Sequence, residues 1–231
     1  NQISSIAADN WRGLENSLQT LRLGKNMIDK LPADAFSGLK FLEILDLREN
    51  NLREIDASVF RDGMAHLSYL YLNGNQLTMI PYNQLSALKH MKILDLSYNR
   101  FTRMINPQSE AEIQGLQISL DTLRLDWNQI ETLPTASFQH FFKVNKTYLS
   151  GNPIREIEEG AFRDSKIREL YFTDCDLSEI DSPSLRGLES SLEYLDLSGN
   201  NLTELPPQIF QEYDFLRTLV FRENKIKNFV P

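Results

Sequence analysis

Between residues 192 and 206 the chain places Leu192, Leu195, Leu197, Asn200, Leu202 and Leu205 in the order L-x-x-L-x-L-x-x-N-x-L-x-x-L. The series returns at Leu216, Leu219, Phe221, Asn224 and Ile226, and it is preceded by Ile167, Leu170, Phe172, Cys175 and Leu177. Self-similarity at this period is the mark of stacked supersecondary units. Within each unit x-L-x-L-x alternates, so its two leucines face one way and the residues between them the other. One such strand cannot bury its leucines alone. Coils stacked about 4.8 Å apart, with their strands in parallel, bury a continuous core. The Asn that follows carries donors and an acceptor on a short side chain. It can satisfy backbone groups of its own turn and of the next coil.

The pattern runs through the whole chain. Coils start at Leu18, Leu42, Leu67, Met91, Leu120, Val144, Ile167, Leu192 and Leu216, with spacings of 24, 25, 24, 29, 24, 23, 25 and 24 residues. The predicted architecture is an α/β solenoid, a horseshoe with a parallel β-sheet on its concave face. Loops and short 3₁₀ or α-helical turns cover the convex face. Residues 1–231 read as a single array of about ten coils, the first and last incomplete. The polar ladder is predicted at Asn26, Asn50, Asn75, Asn99, Asn128, Asn152, Cys175, Asn200 and Asn224, with Asn1 starting it. Terminal coils need polar caps. None is seen here, so the chain reads as a slice of a longer array.

A second apolar row, Trp11, Phe36, Phe60, Leu85, Ile113, Phe138, Phe162, Leu185 and Phe210, is expected as a spine under the convex surface. Short helical or 3₁₀ turns are expected around 33–39 and 160–164. Pro32, Pro81, Pro134 and Pro206 should end strand pairing in the connecting turns. The longest coil carries its excess at 106–112, where a convex helix is favoured over a protruding contact loop.

The outward strand positions are where function would lie. Ile44, Tyr69 and Ile93 occupy the same row on adjoining coils, with Tyr71 in the next row. Tyr98 and Trp127 share one position at the sheet edge on adjacent coils, and Arg124 and Asp126 lie beside them. Aromatic clusters of this kind mark binding hot spots; the alternative is that the tyrosines pack against one another. Arg22 is expected beside Asp46, and Asp95 beside Arg124.

The net charge of −8 argues against nucleic acid and against anionic membrane surfaces. No apolar run reaches the length of a membrane span. His66, His90 and His140 are far apart, and neither a phosphate loop nor a nucleophile motif occurs, so no enzyme, metal site or cofactor is expected. Cys175 is the sole cysteine and is read as a buried, inert thiol in a ladder position. Two N-glycosylation sequons, Asn145-Lys146-Thr147 and Asn201-Leu202-Thr203, point to an extracellular setting and an N-linked glycan. Asn145 is expected just before its strand and Asn201 just after its own. Thr147 stands where every other full coil has a large apolar residue.

The 24-residue form with L-x-x-L-P and a Phe spine resembles the extracellular "typical" leucine-rich repeat class. The segments at 11–21, 59–64, 144–154 and 197–203, with the irregular spacings of 29, 23 and 25, are similar to the chaoptin-like group of insect photoreceptor proteins. That resemblance implies a lipid-anchored adhesion protein on the outer face of the plasma membrane. The anchor and the cysteine-bearing ends of that group would lie outside this chain. It also implies contact with another copy or a related repeat protein. A receptor ectodomain that grips a protein ligand, in the manner of Toll receptors, is the other reading.

Overall fold

The computed structural model describes residues 1–56, 58–60, 64–105 and 114–227. Eleven strands follow in order: β1 (Thr20–Arg22), β2 (Ile44–Asp46), β3 (Tyr69–Tyr71), β4 (Ile93–Asp95), β5 (Ser119–Arg124), β6 (Thr132–Leu133), β7 (Lys143–Tyr148), β8 (Glu156–Ile157), β9 (Glu169–Tyr171), β10 (Tyr194–Asp196) and β11 (Thr218–Val220). Nine of them form one parallel sheet, in the order β1-β2-β3-β4-β5-β7-β9-β10-β11. Each coil thus adds one strand beside the last, as the repeat requires.

The register puts one column of side chains through the core. Leu21, Leu45, Leu70, Leu94, Leu123, Thr147, Leu170, Leu195 and Leu219 are successive partners. A second column, from Leu23 to Leu197, lies two residues further on and is also buried. Phe36, Phe60, Phe138 and Phe162 form the predicted spine with Trp11, Leu85 and Leu185, and the Phe138 and Phe162 rings stack at 5.1 Å. At the last described coil Ile209 is buried and Phe210 only partly so. Ile113 and the 106–112 insertion lie outside the described residues.

Each ladder Asn is held by both ends of its amide. Asn75 Nδ2 donates to Leu72 O in its own turn and to Leu47 O, both at 3.0 Å, and its Oδ1 accepts from the Leu52 N–H at 3.0 Å. The satisfied neighbour is therefore the preceding coil, not the following one. Asn1, at the first residue, is exposed. The turn demands one more thing. The residue before each ladder position takes a left-handed backbone: Lys25, Glu49, Gly74, Tyr98, Trp127, Gly151, Asp174, Gly199 and Glu223, with φ between 51° and 69°.

The connecting side is mostly turns. Among the described residues helix is limited to single turns at Ala8–Trp11, Tyr82–Leu85 and Pro183–Leu185. At 33–39 and 160–164 the expected short turns are isolated and i→i+3 bonded, as in a 3₁₀ turn, such as Ala35 N–H to Pro32 O and Arg163 N–H to Gly160 O. Gly38 and Gly160, with φ of 88° and 77°, take conformations no helix continues through. A small second sheet joins β6 to β8, and β6 stops at Pro134.

Candidate protein-interaction surface

Ile44, Tyr69 and Ile93 are direct cross-strand partners, and Tyr71 lies between Asp46 and Asp95 in the next row. All four are half-buried on the outward face of the sheet. Cations frame the two rings. Lys92 Nζ sits 5.9 Å from the Tyr69 centroid, and the Arg48 guanidinium 5.5 Å from that of Tyr71. Arg48 is held there by the buried Asp46 carboxylate, to which its Nη2 donates at 2.6 Å.

The same device recurs in a later coil. Arg124 Nε donates to Asp126 at 3.1 Å, and its guanidinium lies 4.9 Å from the Tyr148 centroid. Asp126 is only 3% exposed. Burial pushes its carboxyl up, and Arg124 opposes that shift. Asp126, expected at an outward position, is thus buried and positions Arg124. The expected cross-coil pairs Arg22–Asp46 and Asp95–Arg124 are adjacent in register. The ion pairs of Asp46 and Arg124 nonetheless run within one coil, to residues two positions along. That spacing puts both side chains on one face of the strand, and the shorter loop is easier to order.

At the sheet edge Tyr98 and Trp127 stack at 6.0 Å with their planes 11° apart, 57% and 49% exposed. Both occupy the left-handed position before a ladder Asn, with φ of 53°. Bulky side chains are disfavoured there, by about 1–2 kcal/mol. The fold imposes this backbone on every coil, and other coils fill it with Gly, Lys, Glu or Asp. The indole lies across Gly151 of the next coil, where a Cβ would overlap its ring. Edge, patch and Arg124 together occupy neighbouring coils.

A third aromatic group lies on the outward face of the later strands. Tyr148 and Tyr171 stack at 4.3 Å and 6°, and Tyr171 and Tyr194 follow at 5.0 Å. Tyr171 Oη donates to Glu169, which also takes Lys146 Nζ at 2.9 Å. Against the desolvation of its site, these two donors hold Glu169 below the usual carboxylate range. The signal was tyrosine in the central row of two consecutive coils. The sequence does not say that the rings would lie flat on one another.

Asn145 is inside β7, not before it, because β5 and β7 are each six residues long. Asn201 follows its strand as expected. Cys175 is buried, donating weakly to Leu149 O at 3.5 Å. Burial pushes its thiol up to about 12. Among the described residues no cluster of His, Cys, Asp or Glu could hold a metal ion.

A parallel coil stack, a buried Asn ladder and leucine columns define a leucine-rich repeat solenoid, and comparison with known sequences agrees. The "Leucine rich repeat" family model matches residues 16–77 and 41–101, and the "BspA type Leucine rich repeat region (6 copies)" model matches 131–230. The chain is a leucine-rich repeat protein. Chaoptin of Drosophila melanogaster is 46% identical over 111 residues, 48% of this chain and 8% of that protein. Keratocan of Danio rerio is 27% identical over 221 residues, 92% of this chain and 52% of that protein. The chain thus spans about half of keratocan and a small part of chaoptin. Among solved structures, the TLR13–ssRNA13 complex matches at a TM-score of 0.78 and 25% identity, over 94% of this chain and 30% of that one.

Proposed function

We propose that this chain is part of an extracellular cell-surface protein that binds another protein through the outward face and edge of its sheet. The favoured reading is adhesion between neighbouring membranes, with another copy or a related leucine-rich repeat protein as partner. The observation that carries the proposal is the exposed Tyr98–Trp127 stack. Two large aromatic side chains are kept in water, on a backbone that disfavours them, beside the Ile44/Tyr69/Tyr71/Ile93 patch. Hot spots at protein interfaces are rich in Trp, Tyr and Arg, and Arg124 supplies the cation. The likeness to chaoptin supports adhesion. The likeness to TLR13 favours the second reading, a ligand-binding receptor ectodomain.

Beads coated with the chain distinguish the two. Adhesion by like-to-like contact predicts aggregation of beads carrying this chain alone. Trp127→Ala, or Tyr69→Ala with Tyr71→Ala, should weaken it at least about tenfold, the scale of a hot-spot loss. Beads that stay dispersed while a soluble ligand is captured would support the receptor reading. Aggregation untouched by all three substitutions would remove this surface from consideration.

A further inference from the structure

Thr147 is an anomaly in the leucine column. It lies between Leu123 and Leu170 in register, is 0% exposed, and its Oγ1 has no hydrogen-bond partner. Eight of the nine positions in that column are leucine. A buried hydroxyl without a partner destabilises the fold relative to an apolar group of the same shape. Packing therefore offers no reason for this residue, and the third position of an acceptor motif does. Two residues earlier, the Asn145 carboxamide is at the surface, where Nδ2 donates to Asp121 Oδ1 at 3.0 Å. A primary amide nitrogen carries two hydrogens, so one can be replaced while the other keeps Asp121.

We infer that Asn145 is an N-glycosylation site that folding closes, its motif being readable only before Thr147 enters the core. The inference rests on the extracellular reading above. In the reaction Nδ2 attacks the anomeric carbon of an oligosaccharide carried on a lipid diphosphate. A C–N bond forms, the C–O bond to the diphosphate breaks, the lipid diphosphate leaves, and Nδ2 gives up one proton. The acceptor motif requires the hydroxyl at its third position. In the folded chain that hydroxyl is beneath the sheet, and Asn145 is fixed in β7, its carbonyl accepting from the Arg168 N–H at 3.0 Å. Asn201 differs, because Thr203 is exposed and the sequon follows the strand.

The test secretes the chain behind a signal peptide and maps glycosidase-treated peptides by mass in heavy-oxygen water. Asn145 should be converted in the parent and in Thr147→Ser. It should be unmodified in Thr147→Val, which leaves Asn201 unchanged. Compared with Asn145→Gln, which also lacks the glycan, Thr147→Val should melt about 2–4 °C higher, the shift expected from removing one unpartnered hydroxyl. Given a purified oligosaccharyltransferase and lipid-linked oligosaccharide, a peptide covering 141–151 should accept sugar at Asn145 and the folded, unglycosylated chain should not. A bare Asn145 in the secreted chain, or transfer to the folded chain as fast as to the peptide, overturns the inference. Because secretion is forced, the result is independent of where the natural chain resides. That is read separately, from glycan on protein taken from its own source.

Discussion

The coils around Asn75, Asn99 and Asn128 and those around Thr147, Asn152 and Cys175 follow one repeat by different means. In the first group each ladder amide makes its bonds to two coils, and Gln76, Arg100 and Gln129 each donate a backbone N–H to the preceding coil at 2.8 Å. In the second, Pro153 has no N–H to give at the equivalent position. Cys175 offers no amide oxygen, so the Ile154 N–H turns back to Asn152 O at 2.8 Å. Among the described residues the buried side-chain atoms without a partner divide evenly, Asn73 Oδ1 and His140 Nε2 in the first group and Thr147 Oγ1 and Ser165 Oγ in the second. Yet the core is equally closed in both, with Phe138, Phe141, Phe162 and Phe172 fully buried. Pairing is most extensive where the two groups meet: six-residue β5 and two-residue β6 of the Asn128 coil pair with β7 and β8 of the next, and Tyr148 stacks on Tyr171 beyond them. Asn152 keeps the full amide contacts within the second group, so the coil of Cys175 is the place where the core closes over a turn without a ladder amide.

The sharpest way to break this comparison is to remove one ladder residue from each group. Asn128 Nδ2 donates to Leu96 O at 3.1 Å and Leu125 O at 3.0 Å, and its Oδ1 accepts from the Phe101 N–H at 3.1 Å. Asn128→Ala leaves those buried backbone groups unpaired and should cost about 3–4 kcal/mol, read by urea denaturation. Cys175→Ala loses only weak thiol contacts and should cost less than about 1.5 kcal/mol. Equal losses would show that the two coils depend on the ladder alike.

The edge gives a smaller effect. Gly151 has φ of 69°, and a Cβ there would meet the Trp127 ring. Gly151→Ala should destabilise by about 2 kcal/mol, part from the backbone and part from the displaced indole. With Trp127→Ala already in place, the same substitution should cost about half as much. That non-additivity measures the contact. Strict additivity would mean that the indole does not rest on Gly151.

Much of this was legible because it is periodic. Leucine columns and ladder positions are fixed by residue type and spacing, and the register bears them out from Leu21 to Leu219. What escaped the sequence depends on side-chain direction or on pairing between distant coils. Arg48 reaches Asp46 on its own strand although Arg22 is the register partner. Asp126 carries a charge and was expected outside, but it is buried under Arg124. Asn145 falls inside a strand because Ser119 and Leu120 pair with Lys143 and Val144 ahead of the usual three residues. The positive-φ column made the Tyr98–Trp127 edge costly, and only the backbone reveals that cost.

The smallest effects test whether Cys175 is a cause of the second group's difference or a passenger. Cys175→Asn should restore an acceptor for the Ile154 N–H and stabilise by about 1 kcal/mol. No gain would assign the irregularity to Pro153 and the longer strands instead. The thiol itself supplies a pH signature. Its folded value is pushed up to about 12, foremost by burial, against an ordinary value near 8.5. The folded chain therefore keeps a proton that the unfolded chain sheds. This contribution is complete below about pH 8.5 and declines as pH rises toward 12. Stability measured across that window should fall less steeply in Cys175→Ala than in the parent. At pH 8 a thiol reagent should label Cys175 only at the rate at which the coil opens.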